Sequence, residues 1–494
     1  MSRTTLQYLP VVDWPKLSWV AAMRAGDAVA TVLHGPRVET RDAWFVEAVW
    51  DGELEEGDFD RTALVFGTGG RLRGDAICFV TPGDTLNRLY WHRGKATTVV
   101  SNSLPALLAV AGVELVQGFP YADAMASITN GLVSYVREIP STSGPIQVLY
   151  YDNLTVDRDG AHPTPKPSSA PNFVDFATYR SYLFDSAVRL GRNAAAPGRR
   201  HPVGLLATLS SGYDSCAAAV LAREAGARAA VTIAQGRRSA TTLLDTADSG
   251  APVAAALGLS CRSYDRIRSS YPFEDAAWAA MGNVGDVNLS LFDFPQPLCL
   301  LFTGFIGDVL WDKGTRQTEH LHRKDTSGAR FGEARLEHGV FLCSPVFWGC
   351  AQEARILALS HQPEMQPWSV GGDYDRPIPR RLLEEAGVPR GAFARRKRLA
   401  SLNRRYGRPL SPDLRADFAG FLARRGSRPG GPLAEAVAYV LDGIDYYLLR
   451  RLPPALRFSC KGWVRIPSGT DFFLWANERL AQRYRQRLAD AGLR

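Results

Sequence analysis

From Asp42 to about Asp159 the chain reads as short apolar runs cut by turn residues: AWFVEAVW, TALVFGTG, AICFVTPG, RLYWHRG, TTVVSNS, IQVLYYDN and LTVDRDG. The runs are β-branched and aromatic, and Asp-Gly and Pro-Gly pairs punctuate them, so each predicts a strand ending at a turn. A β-rich N-terminal domain over residues 1–165 follows. Ala161–Asn172 (AHPTPKPSSAPN) has Pro and Ser in place of apolar residues, which favours an extended connection that joins no packed core. The domain boundary is expected there.

Beyond it the pattern changes. A helix is predicted across Val174–Arg192, an apolar strand over Val203–Leu209, a helix from Ser215 to Ala225, a strand over Ala229–Ala234 and a helix over Asp248–Leu257. Strand and helix in turn argue for a parallel sheet with helices on both faces, an α/β domain over 173–494. Past Glu353 the pattern is mostly helical and ends in the amphipathic stretch Asp471–Ala491, expected to pack on the sheet or on a partner. Internal repeats are absent.

Composition narrows the class. With 494 residues, 46% apolar and 22% charged, the chain is too long for one compact core and fits two globular domains. No stretch reaches the roughly 20 uninterrupted apolar residues of a membrane helix, and MSRTTLQYLPVVDWPK lacks the apolar core of a secretion signal, so the expectation is a cytoplasmic protein without membrane contact. Cys78, Cys216, Cys261, Cys299, Cys343, Cys350 and Cys460 are scattered, lack zinc-type pairing and read as reduced core residues. The net charge of +8 comes from arginine spread along the whole length, which suits an anionic substrate better than nucleic acid. The one dense basic run is Arg395–Arg398, a solvated helix end in its simplest reading.

The most informative segment is Ser210-Ser211-Gly212-Tyr213-Asp214-Ser215, between the strand Val203–Leu209 and the helix that follows. A buried strand running into a small-residue turn and a helix start points backbone N–H groups outward, and the helix dipole there favours an anion by about 0.3–2 kcal/mol. Hydroxyls of Ser210, Ser211 and Ser215 add donors for phosphate oxygens. Asp214 repels phosphate unless a cation intervenes, so its presence predicts Mg²⁺. Leu300–Asp308 is a second apolar strand ending in a glycine-containing turn and an aspartate. Two such turns at the carboxyl ends of parallel strands flank the crevice where ligands bind.

The segment Ser210–Ser215 resembles the SGGxDS signature of N-type ATP pyrophosphatases, and its surroundings resemble the synthetase domain of the asparagine synthetase family. Ser211 stands where that signature has a glycine. The resemblance implies a Rossmann-like ATP-pyrophosphatase domain preceded by an N-terminal-nucleophile-hydrolase-like, glutaminase-like domain. It implies ATP held by Ser210, Ser211, Gly212, Tyr213, Asp214, Ser215 and Gly304, with adenine against Ile233 and an acidic residue at Asp245. Magnesium would be shared by Asp214 and Asp308, although Asp308 also reads as an ordinary helix cap. Tyr374–Lys397 resembles the family's helix, proline turn and basic segment, which implies Lys397 as the catalytic cation on the phosphates and the developing transition state; Lys461 is the reserve. A compact ammonium suits that role because it can follow moving charge.

In asparagine synthetase proper a cysteine at position two hydrolyses glutamine. Here Ser2 stands there, a poorer nucleophile unless its own amine serves as base. The chain therefore resembles the branch that has lost glutamine hydrolysis, with β-lactam synthetase, carbapenam synthetase and lasso-peptide cyclases. That branch implies an amide-forming ligase of specialised metabolism: a small-molecule or peptide carboxylate is adenylated by Mg·ATP, and an amine displaces AMP. In β-lactam synthetases a tyrosine three residues before the second aspartate helps deprotonate the amine; Phe305 occupies that place, which leaves Glu353 and His338 as candidate bases. Whether the amine is intramolecular, intermolecular or free ammonia stays open, as does a homodimer. Two rivals remain: a tRNA-modifying adenylating enzyme and a non-catalytic binding relative.

Overall fold

The computed structural model describes residues 4–235, 248–267, 269–315, 320–372, 374–393, 409–427 and 467–493, with 437, 440 and 441. Two sheets fill the N-terminal part. A seven-stranded sheet runs Thr5–Pro10, Val29–His34, Trp19–Arg24, Thr97–Ser101, Leu89–Arg93, Ile146–Leu149, Glu138–Ile139. A six-stranded sheet runs Ala161–Thr164, Asn153–Val156, Ala76–Val80, Val65–Arg73, Trp44–Trp50, Glu39–Arg41. Pairing is antiparallel except between Thr5–Pro10 and Val29–His34. Every run predicted between Asp42 and Asp159 is a strand, and four strands begin ahead of it.

Alternation along the strands sorts the residues into layers. Trp19, Ala21, Val32 and Val100 of one sheet meet Phe45, Ile77, Phe79 and Leu154 of the other in a shared core. The strand Trp44–Trp50 is buried on both faces, because Trp44, Val46, Ala48 and Trp50 point away from that core into a second cluster with Leu54 and Phe59. The helix Phe176–Ala194 lies over this outer side, and Asn193 Oδ1 accepts from the Trp50 amide at 3.3 Å. The other sheet is covered by the helix Leu104–Ala111, which is itself covered by the capped helix Gly469–Asp490.

The expected connection Ala161–Asn172 needs correcting at its start. Ala161–Thr164 is an edge strand paired with Asn153–Val156, and the buried Lys166 donates to Thr81 O at 3.0 Å and Asn153 Oδ1 at 2.6 Å. An edge position tolerates Pro163, which removes a donor the ladder does not need on its open side.

The third sheet is five-stranded and wholly parallel, ordered Ser260–Tyr264, Ala229–Ile233, Val203–Leu209, Leu298–Phe302, Val340–Cys343. The chain enters at the centre, winds outward on one side, then crosses to the other, so the order reverses between Val203–Leu209 and Leu298–Phe302. A crevice opens at the carboxyl ends of strands at such a reversal. The helix Tyr213–Glu224 packs on these two strands, and its run of small residues Ala217–Ala219 is fully buried.

Among the described residues no helix is long and apolar enough to cross a membrane. Cys78, Cys216, Cys299, Cys343 and Cys350 are buried free thiols and Cys261 is half-buried. Cys460 lies outside the described residues, as does Arg395–Arg398.

Candidate functional site

The strand Val203–Leu209 delivers Ser210–Gly212 to the start of the helix Tyr213–Glu224. The turn is wired internally: Ser210 N donates to Ser215 Oγ at 3.1 Å, the two hydroxyls lie 2.7 Å apart, and Gly212 N donates to Ser210 Oγ at 3.1 Å. Gly212 is the N-cap and brings no side chain, and the Tyr374 hydroxyl accepts from the Tyr213 amide at 3.3 Å instead. From the neighbouring strand's exit, the buried Asp248 clamps the turn by accepting from Ser211 N (3.1 Å) and Ser211 Oγ (2.6 Å) on Oδ1.

The second turn, Thr303–Asp308, interlocks with the first. A Cβ on Gly304 would stand 2.2 Å from Ser215 N, and one on Gly307 would stand 2.1 Å from Asp214 Cγ. Only glycine lets the turns touch at these positions. Between them Ile306 is left-handed at φ 66°, a rare conformation for a β-branched residue and the kind of strain that concentrates at functional turns. Ser344 Oγ donates to Phe305 O at 2.8 Å and Thr315 Oγ1 to Asp308 O at 2.9 Å, holding the strained turn from both sides.

The turns share a cavity of about 240 Å³. Ser210, Gly212, Asp214, Ser215, Gly304 and Asp308 line it, together with Val231 and Ile233. Gly285, Asp286, Leu289, Phe292, Asp325 and Ser327 line it as well, with Tyr374 and Arg376. Charges are interleaved. Arg376, 1% exposed, pairs with Asp214 Oδ2 and reaches Asp312 Oδ2 at 3.4 Å, while Lys324 Nζ lies 3.9 Å from both Asp308 Oδ2 and Asp312 Oδ2. Burial opposes the Arg376 charge, but the acidic groups around it, Asp214 first with Tyr374 and Asp308, together outweigh it and hold the guanidinium firmly protonated. Burial raises the carboxyl pKa of Asp286, against Arg330 and two backbone amides that stabilise its charged form.

Of the expected site residues, Ser210, Gly212, Asp214, Ser215, Ile233, Gly304 and Asp308 come together on this cavity. Ser211 and Tyr213 do not line it: Asp248 takes Ser211, and Tyr213 is buried beneath Arg380 and Phe393. Ser211 is thus a fastening of the turn, where a phosphate donor was expected. Glu353 and His338 do not line it either. Glu353 accepts from the Leu321 amide at 3.0 Å, and His338 sits among the rings of Phe273, Phe294 and Phe331, which suits a core histidine. Lys397, Lys461, Asp245 and Ser2 lie outside the described residues. Sequence reasoning missed Arg376 and Tyr374, although both fall in or beside the quoted segment Tyr374–Lys397. It also missed Asp312, which follows Asp308 by four residues, and gave no signal for Lys324.

The donor set can be tested against magnesium. Among the described residues no group of three or more His, Cys, Asp or Glu is placed to hold a metal. Two carboxylates on touching turns suit Mg²⁺ only if phosphate oxygens and waters supply the rest, which is how Mg²⁺ is commonly bound. Asp214 and Asp308 therefore fit a metal that arrives with phosphate. No protein-family model matches the chain, and no curated protein matches it.

Proposed function

We propose that the chain is an ATP-dependent synthetase that adenylates a carboxylate, releases pyrophosphate and forms an amide by transfer of the acyl group to an amine. The observation that carries this reading is the interlocking of two strand-end turns at the reversal of the parallel sheet, which puts Asp214, Asp308 and two serines on one cavity.

In this reading the triphosphate lies along Ser210–Ser215, met by the helix start and the hydroxyls of Ser210 and Ser215. The base lies toward Val231 and Ile233, at the ends of the neighbouring strand. Asp214 and Asp308 would hold Mg²⁺, which neutralises phosphate charge and aligns the reacting groups. A carboxylate is unreactive toward amines, and converting it to a mixed anhydride with AMP gives it a leaving group. The protein's part is to hold the carboxylate in line with the α-phosphorus and exclude water, which Leu289, Phe292 and Phe305 favour by adding apolar surface to the cavity lining. Asp286 and Asp325 are the cavity carboxylates away from the phosphate turns, and they replace Glu353 and His338 as candidates for the base.

Calorimetric titration of Mg·ATP tests the reading before any acyl substrate is known. The parent is expected to bind only with Mg²⁺, and Asp214→Ala and Asp308→Ala to bind at least about tenfold more weakly, a loss of about 1.4 kcal/mol or more. Absence of binding by the parent, alone and with a panel of carboxylates, would overturn it. Turnover, once a substrate pair is found, should yield AMP and pyrophosphate; ADP and phosphate would exclude adenylation.

A further inference from the structure

Arg376 is a fully buried cation in the wall of a cavity read above as a phosphate site. Its guanidinium has five N–H donors in a planar fork. One nitrogen meets Asp214, a second meets Asp312 at a long 3.4 Å, and Nε has no hydrogen-bond partner among the described residues. A buried guanidinium with donors unspent is costly unless an acceptor arrives to meet them. The Tyr374 ring lies 4.9 Å from the guanidinium carbon and holds it in place. The start of the twelve-residue helix Tyr213–Glu224, whose first amide donates to the Tyr374 hydroxyl at 3.3 Å, opens onto the same cavity.

Arg376 holds Asp214 Oδ2, so a metal that takes this oxygen competes with the guanidinium for it. We propose that Arg376 exchanges partners when Mg·ATP enters: the magnesium takes the Asp214 oxygen, and the released guanidinium edge binds phosphate oxygens of the nucleotide. Before entry Arg376 keeps the carboxylate neutralised and guards it against a bare divalent cation; after entry it becomes a phosphate ligand. A forked guanidinium suits this exchange because carboxylate and phosphate present the same bidentate oxygen geometry. The proposal rests on the nucleotide reading above.

Two titrations of the full-length protein separate the parts: Mn²⁺ alone, followed through the spectrum of the free ion by electron paramagnetic resonance, and Mg·ATP by calorimetry. Arg376→Met should bind Mn²⁺ alone at least tenfold more tightly than the parent and Mg·ATP at least tenfold more weakly. Opposite signs are the signature, since a merely structural arginine would weaken both together. If Arg376→Met fails to fold, Arg376→Lys decides: the ammonium keeps the charge beside Asp214 but loses the fork, so Mg·ATP should weaken while Mn²⁺ binding stays within twofold of the parent. Changes of the same sign in Arg376→Met, or parent-like Mg·ATP binding in Arg376→Lys, would overturn the exchange while leaving the nucleotide reading intact. A parent that binds no Mg·ATP would remove both.

Discussion

Single residues decide how closely the two turns approach, and Gly307 is the sharpest case. Its missing side chain leaves room for the Asp214 carboxylate, since a Cβ would lie 2.1 Å from Cγ. Gly307→Ala should displace Asp214, lower stability by about 1–3 kcal/mol through overpacking, and weaken Mg·ATP binding at least tenfold; thermal melts and calorimetry read the two effects separately. The run Ser210–Ser215 was legible because strand, small-residue turn and helix start adjoin in the sequence. Gly304 and Asp308 were legible for the same reason. Arg376, Lys324 and Asp248 were not, because their roles depend on which strand ends the sheet order places side by side. Ser211 misled for a related reason: a hydroxyl in a strand-to-helix turn looks like a donor to phosphate until Asp248, thirty-seven residues on, is seen to take it.

Among elements, the short helix Gly332–His338 carries two groups whose titrations oppose each other. Burial pushes the Glu333 carboxyl up to about 7, despite hydrogen bonds from Ser103 Oγ and Leu104 N. Burial pulls the His338 imidazole down to about 4, helped by Lys16. A raised acid contributes stability below its unfolded pKa that is lost as pH rises toward the folded value, so Glu333 destabilises from about pH 4.5 to 7. A depressed histidine is neutral in the fold, and its contribution, complete above its unfolded pKa of 6.5, is lost as pH falls toward 4. Between pH 4.5 and 6.5 the slopes oppose, each at most about 1.4 kcal/mol per pH unit. Relative to the parent, Glu333→Gln should gain stability as pH rises through this window, and His338→Phe should lose it. Urea denaturation at three pH values checks both signs. Elements with dense apolar runs, such as Trp44–Trp50 and Val203–Leu209, were readable in the sequence. Ser260–Tyr264 was not, because a half-polar edge strand of a parallel sheet lacks the apolar run that marks the central ones.

At the scale of the molecule, the β-rich part and the parallel sheet are joined by a buried ion pair. Arg335 makes two 2.8 Å bonds to Glu47, and Glu47 also accepts from Thr68 Oγ1 at 2.6 Å and Asn102 Nδ2 at 3.1 Å. Both side chains are almost wholly buried. Removing one partner strands the other, so Glu47→Gln or Arg335→Met should each cost about 3–5 kcal/mol, and the paired Glu47→Leu, Arg335→Met variant should recover much of that loss. Guanidinium denaturation of the three variants measures it; additive losses would argue against coupling.

The helix Gly469–Asp490 closes the molecule differently. It lies on Leu104–Ala111, its Tyr484 ring meets Trp14 at 4.9 Å, and the Tyr484 hydroxyl donates to Ser18 Oγ at 3.0 Å. On a ribosome, residues 14 and 18 emerge long before residue 484, so the first sheet waits with an apolar flank uncovered while the whole parallel sheet is synthesised. Final consolidation thus waits until residues 469–490 have been synthesised, and a nascent chain arrested before Gly469 should be a client for holding chaperones and a ready substrate for proteases.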